Sequence, residues 1–155
     1  MKPLVLVTLA ACAAAPPPPA SSLPRVQVLG PDARTPTDLA ALANGRPLVV
    51  DVFATWCEAC RQGLPGMNEL ARAHRSGDVL VVGLDVGEER AAVERFVARA
   101  GVAYPVYYDP DLRFEDSLGL TELPLILVFD GNGRIVHRSA HVDDATRAAI
   151  SEASR

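Results

Sequence analysis

Leu48-Val49-Val50-Asp51-Val52-Phe53-Ala54 is an almost continuous apolar run, rich in β-branched residues and broken once, by an acid. A run of this length without alternation predicts a central strand buried on both faces. It ends at Trp56-Cys57, where the period changes. Leu64, Met67, Leu70, Ala71 and His74 then recur at helical spacing until Ser76-Gly77 closes the segment. Val79 to Asp85 is a second strand of the buried type, and Val93, Phe96, Val97 and Ala100 mark one face of a second helix stopped by Gly101. Strand, helix, strand and helix in this order predict a parallel pair of strands.

The flanking patterns are shorter. Val26 to Leu29 reads as a strand and Thr37-Asp38-Leu39 as a turn, leading into the Asn44-Gly45-Arg46-Pro47 loop. Further on, Tyr104 to Tyr108 reads as a short strand, Asp111 as the cap of a brief helix carrying Phe114 and Leu118, and Leu125 to Phe129 as another strand. Asp130-Gly131-Asn132-Gly133 predicts a hairpin turn, with Ile135 to His141 as its returning strand. Asp143 or Asp144 then caps a last helix with Thr146, Ala149, Ile150 and Ala153 on one side.

Composition narrows the class. With 155 residues, 49% hydrophobic and 22% charged, and a net charge of −4, the chain is neither disordered nor a multi-span membrane protein, and it suits one folded domain. Acidic residues outnumber basic ones and like charges never run in blocks, so no nucleic-acid surface is expected.

The first residues do not belong to that domain. Lys2 precedes an uncharged, largely apolar run from Pro3 to Ala11, with small residues around Cys12, which is the layout of an export signal. The run is far short of the ~20 residues that span a bilayer. Leu9-Ala10-Ala11-Cys12 resembles the lipobox of bacterial lipoproteins, in which the chain is cut before the cysteine and the thiol carries a lipid. The alternative is ordinary secretion with cleavage nearby. The lipoprotein reading divides the chain into a signal peptide at 1–11, a lipidated Cys12 with a Pro-rich tether at 12–22, and a domain at 23–155. Pro16 to Pro19 would make the tether extended and semi-rigid.

The candidate chemistry lies at Cys57-Glu58-Ala59-Cys60, where the buried strand meets the helix. Closing so short a loop removes little denatured-state entropy, so the pair is a poor structural staple and a better redox couple. Cys57, at the helix start, faces unsatisfied backbone N–H groups that stabilise a thiolate, and is the expected nucleophile. Cys60, a turn inside, keeps its proton until a mixed disulfide forms and then resolves it. Half of a zinc site is the alternative, but no second cysteine pair follows, and His137 and His141, four apart on a predicted strand, share a face too far apart to chelate easily, so no metal is expected. His74, His137 and His141 read as surface or packing residues. Asp51 interrupts an apolar strand, and a buried acid is costly unless it is protonated or partnered.

These residues together resemble the thioredoxin superfamily, and within it the exported TlpA/ResA-like thiol-disulfide oxidoreductases. The resemblance covers roughly residues 23 to 155. It rests on Val50 to Cys60, Pro65 after the pair, Val86-Gly87-Glu88, and Leu123-Pro124 before Leu125 to Phe129 with the following Asp-Gly-Asn-Gly turn. It implies a single-domain α/β thioredoxin-like fold, a central mixed sheet flanked by helices, and disulfide reduction through Cys57 and Cys60 without a bound cofactor. It further implies that Pro124 forms a cis peptide facing the disulfide, and that the backbone of Leu123 pairs with the substrate. Trp56 would pack beside the active-site surface, its alternative being a plain core aromatic, and Pro65 would bend its helix. Asp51 falls where thioredoxins keep a proton-relaying acid and many ResA-like proteins have Asn. Glu88 falls on an active-site carboxylate of ResA-like proteins, with helix capping or a solvated surface as its alternatives. The implied partners are disulfide-containing exported proteins and a membrane thiol donor of the DsbD or CcdA kind.

The chain departs from the family at Glu58-Ala59, where Gly-Pro or Glu-Pro is usual, and at Leu123, where Thr or Val is more common. The implied location is extracytoplasmic, held to a bacterial membrane through Cys12. If the host has an outer membrane, Ala13 in place of Asp points there. A thiol oxidase or disulfide exchanger is the alternative within the class, and a copper(I) carrier held by two soft thiolates the alternative outside it.

Overall fold

The computed structural model describes residues 21–155. The signal segment, Cys12 and all but Ser21-Ser22 of the tether lie outside the described residues. In chain order the elements are β1 Gln27–Leu29, β2 Pro36–Asp38, α1 Leu39–Ala43, β3 Leu48–Phe53, α2 Glu58–Ala73, β4 Leu80–Val86, α3 Arg90–Ala100, β5 Val106–Asp109, α4 Arg113–Leu118, β6 Leu125–Phe129, β7 Ile135–Ser139 and α5 Asp144–Ala153.

The strands join into one mixed sheet in the order β2-β1-β5-β4-β3-β6-β7. β3 lies inside it, parallel to β4 and antiparallel to β6, and every one of its side chains is buried. That is the physical meaning of its unbroken apolar run: helices cover both faces, so alternation would have put polar groups into the core. Leu48, Val50 and Val52 face one layer with Leu39 of α1 and Phe114 and Leu118 of α4. Val49 faces the other, with Leu64, Met67 and Leu70 of α2 and Ile150 of α5. Phe53 continues that second face towards Val93 of α3 and the two cysteines. Each fully buried aliphatic side chain contributes ~1.5–3 kcal/mol, which makes this central strand the thermodynamic spine of the domain.

Two local readings need correction. Thr37-Asp38-Leu39 is more than a turn: Pro36–Asp38 pairs antiparallel with β1, and Asp38 caps α1 by accepting from the N–H groups of Ala40 and Ala41. At α4 the cap is not Asp111. Asp109, at the end of β5, accepts from the N–H groups of Arg113, Phe114 and Glu115, while Asp111 pairs with the Arg113 side chain on the surface. Leu112 takes a left-handed conformation (φ 56°), which folds the chain back so that the helix start sits over Asp109. At α5, Asp143 is the cap, in a reciprocal box with Thr146. His137 packs there, its Nε2 3.2 Å from the Thr146 hydroxyl. Beside the hairpin turn the Ser21 carbonyl accepts from the Ile135 N–H, and Ser22 bridges to Arg134.

Candidate active site

The site lies where β3 ends and α2 begins. Because β6 runs antiparallel to β3, with Val52 opposite Leu125, the start of β6 falls beside the end of β3, and Pro124 comes with it. The Leu123-Pro124 peptide bond is cis.

Cys57 is the N-cap of α2, in extended conformation, and its Sγ accepts a hydrogen bond from the Cys60 N–H at 3.1 Å. The two cysteines form a disulfide with Cα atoms 5.3 Å apart. Both are buried, whereas Trp56 next to them is 69% exposed, so it is not a core aromatic. Pro65 lies inside α2. When the disulfide opens, the capping geometry leaves Cys57 at the positive end of a sixteen-residue helix, with a backbone donor already aimed at its sulfur.

Asp51 is buried on the face of β3 that looks towards α2. Burial raises its carboxyl to about 6, against the opposing effect of the Tyr104 hydroxyl, which donates to Oδ2 at 2.5 Å. The phenol in turn is pushed up by burial and by the Asp51 charge. Asp51, Cys60 and Tyr104 line one small cavity of about 10 Å³, at the lower limit for a single water molecule.

Glu88 neither caps a helix nor lies free on the surface. Its carboxyl accepts from the backbone N–H of Thr55 and, at 2.6 Å, from the Thr55 hydroxyl. The Thr55 carbonyl accepts from Arg61 at 3.1 Å, and Arg61 also pairs with Glu58, which it holds below its ordinary range. The segment leading to Cys57 is therefore clamped from both sides. Beneath Glu88, Asp85 is buried at the end of β4. Its Oδ2 accepts from the Glu88 N–H at 3.2 Å, and its Oδ1 has no partner among the described residues. Burial and the neighbouring Glu88 push the Asp85 carboxyl well up.

The fold thus brings Cys57, Cys60, Asp51, Trp56, Glu88, Leu123 and Pro124 to one end of the sheet. Sequence reading missed Tyr104, Thr55 and Arg61 as site residues. Tyr104 stands 53 positions from Asp51, and the only sequence cue is an aromatic hydroxyl just ahead of a strand on the face where a lone buried acid needs a donor. Among the described residues no group of three or more His, Cys, Asp or Glu is placed to hold a metal ion.

A mixed sheet with helices on both faces and a Cys-x-x-Cys disulfide capping the helix after its central strand defines a thioredoxin-like fold with a redox-type site. The chain belongs to the Redoxin family, whose model matches residues 18–154. It is 30% identical over 92 residues to thiol-disulfide oxidoreductase ResA of Geobacillus thermodenitrificans, covering 59% of this chain and 53% of that protein. To ResA of Bacillus subtilis it is 30% identical over 93 residues, covering 60% and 52%. The chain spans about half the length of the curated relatives it matches. Among solved structures it is similar to a thiol:disulfide interchange protein of the thioredoxin family from Chlorobium tepidum, with a TM-score of 0.68, 28% identity, and coverage of 92% of this chain and 100% of that one. A second Chlorobium tepidum protein, described as a DsbE, shares the fold at a TM-score of 0.77 and 20% identity, covering 88% and 98%.

Proposed function

We propose that the chain is an extracytoplasmic thiol-disulfide oxidoreductase that reduces disulfides of exported proteins. The observation that carries this reading is the cap geometry: a buried Cys57 sulfur, bonded to Cys60 and already accepting a helix N–H, beside the cis Leu123-Pro124 peptide.

In the reduced form the Cys57 thiolate attacks a substrate disulfide, joining one sulfur and releasing the other as a thiolate. The Cys60 thiol then gives its proton to Asp51, and its sulfur attacks Cys57. The bond to the substrate breaks, and the departing thiolate takes a proton from solvent. Two electrons pass from the dithiol to the substrate, and the chain is left with the Cys57-Cys60 disulfide. Leu123 offers backbone hydrogen bonds to the substrate segment, exposed Trp56 an apolar contact, and Glu88 holds the Cys57 segment through Thr55. A membrane thiol donor of the DsbD or CcdA kind would restore the dithiol. The export signal and the lipidated Cys12 would place the site outside the cytoplasm, tethered to a membrane; among the described residues no helix is long and apolar enough to cross one.

The equilibrium reduction potential of the pair tests the direction. A value near thioredoxin's ~−270 mV supports a reductase, and one near DsbA's ~−120 mV makes the chain an oxidant. Cys60→Ser should trap substrates as mixed disulfides on Cys57. Tight copper(I) binding without any disulfide exchange would overturn the catalytic reading.

A further inference from the structure

We propose that Tyr104 is a positioning residue for proton transfer at Cys60: its hydroxyl holds Oδ2 of Asp51, keeping the carboxylate form available near neutral pH and leaving Oδ1 to exchange the proton of the thiol. The inference rests on the resolving step described above and adds to it a residue that tunes the acid.

The sheet is built to let the phenol reach the acid. Asp51 of β3 stands opposite Gly83 of β4, and Gly83 opposite Val106 of β5. Asp51, Gly83 and Val106 are therefore in one row across the sheet. A Cβ at position 83 would lie 3.1 Å from the Tyr104 ring and 3.1 Å from the Phe53 ring, closer than ordinary contact. The missing side chain is the space through which the Tyr104 ring crosses β4 towards β3.

The backbone leading to Tyr104 is tied to the helix that carries Cys60. Asn68 of α2, buried, donates to the Gly101 carbonyl at 3.0 Å and accepts from the Ala103 N–H at 2.7 Å. On the other side, the Gly83 N–H donates to the Pro105 carbonyl at 2.9 Å. Tyr104 is thus fixed at once to α2 and to β4, and the hydroxyl, the acid and the resolving sulfur keep one geometry around the shared cavity.

The groups that face Asp51 are few. α2 brings Cys60 and Leu64, α3 brings Phe96, the segment before β5 brings Val102 and Tyr104, and the strand neighbours are Gly83 and Ile126. Of these only Tyr104 and Cys60 titrate, so among the described residues the phenol is the one neighbour placed to stabilise the carboxylate. A hydrogen bond to the charged form lowers an acid's pKa. Removing it must move the acid, and with it the pH at which Cys60 loses its proton, upward.

The test follows the full chain, reduced, reacting with a chromogenic aryl disulfide, in which attack by Cys57 releases a first coloured thiolate and resolution by Cys60 a second. Tyr104→Phe keeps the ring that fills the space over Gly83. It should shift the pH midpoint of the second release upward by about one unit, slowing that step about tenfold below the midpoint, while the first release is unchanged. In an Asp51→Asn background, Tyr104→Phe should cause no further shift. An unshifted midpoint in Tyr104→Phe, or the same shift with Asp51 already replaced, would overturn the proposal. Carbon NMR of the unmutated chain decides the point without a variant. The Tyr104 ring carbon bearing the hydroxyl should follow the Asp51 carboxyl through a common midpoint, and a Tyr104 signal indifferent to that titration would refute the link. If the unmutated chain released no thiolate at all, the oxidoreductase reading would fail, and the NMR titration would still decide whether Tyr104 governs Asp51.

Discussion

Asp51 and Asp109 are both carboxylates buried at the central sheet, and they are buried for opposite reasons. Asp109 accepts from the backbone N–H groups of Arg113, Phe114 and Glu115, so nearly all its lone-pair capacity is used to start α4. Among the described residues Asp51 has one donor, Tyr104, and it borders a cavity it shares with a cysteine. Burial raises the carboxyl of both. On the proposed function Asp51 is the reactive acid and Asp109 the structural one, and exposure and pKa direction do not separate them. Between these two the count of fixed donors does, because an acid whose oxygens are all bonded has no atom left for a proton to visit.

The sharpest break between the two is in the sign of their effect on stability. Asp109→Ala leaves a buried helix start without its acceptor and should cost about 3–5 kcal/mol in urea unfolding, while the surviving folded molecules keep their disulfide exchange rate. Asp51→Asn should do the reverse. The folded-state carboxyl at about 6 lies above its ordinary 3.8, so this group's contribution to stability is present below pH 4 and lost as pH rises through 6. A neutral amide, which can still accept from Tyr104, escapes that loss. The variant should be more stable than the parent at pH 7 by on the order of 3 kcal/mol, with the gain fading towards pH 4, and its resolving step should be slower near neutrality. A destabilised Asp51→Asn at pH 7 would place Asp51 in the same class as Asp109.

Glu88 stands between the two, half-buried, with a backbone and a hydroxyl donor from the same residue. Glu88→Ala should cost about 1–2 kcal/mol for the N–H left unpaired and, unlike Asp109→Ala, slow the first attack by Cys57, which thiol-alkylation kinetics would read. Arg61→Ala removes the exposed half of the same clamp and should change stability by under about 1 kcal/mol. A larger loss would show that the carbonyl side, rather than Glu88, holds the segment.

The difference in what the sequence discloses follows the same physics. The β3 run, the helix after it and the cysteine pair are local patterns, set by burial period and by spacing along a few residues. At α4 proximity along the chain favours Asp111 as the cap, whereas the left-handed conformation of Leu112 turns the helix back over Asp109. The Asp51-Tyr104 bond was invisible because it depends on strand register. Only when Gly83 is known to lie between Asp51 and Val106 does a glycine in an apolar strand become the passage for an aromatic ring. Asp51 was legible as an anomaly, and its partner was not.

Trp56 is the chain's single tryptophan, and it stands in solvent one residue from the disulfide. A disulfide beside an indole drains its excited state by electron transfer, and a dithiol does so less efficiently. The chain therefore carries its own optical gauge: emission should brighten when the Cys57-Cys60 bond opens and dim as it closes. On the proposed function, turnover would then be followed at the disulfide itself, without a label and without any substrate that has to change colour.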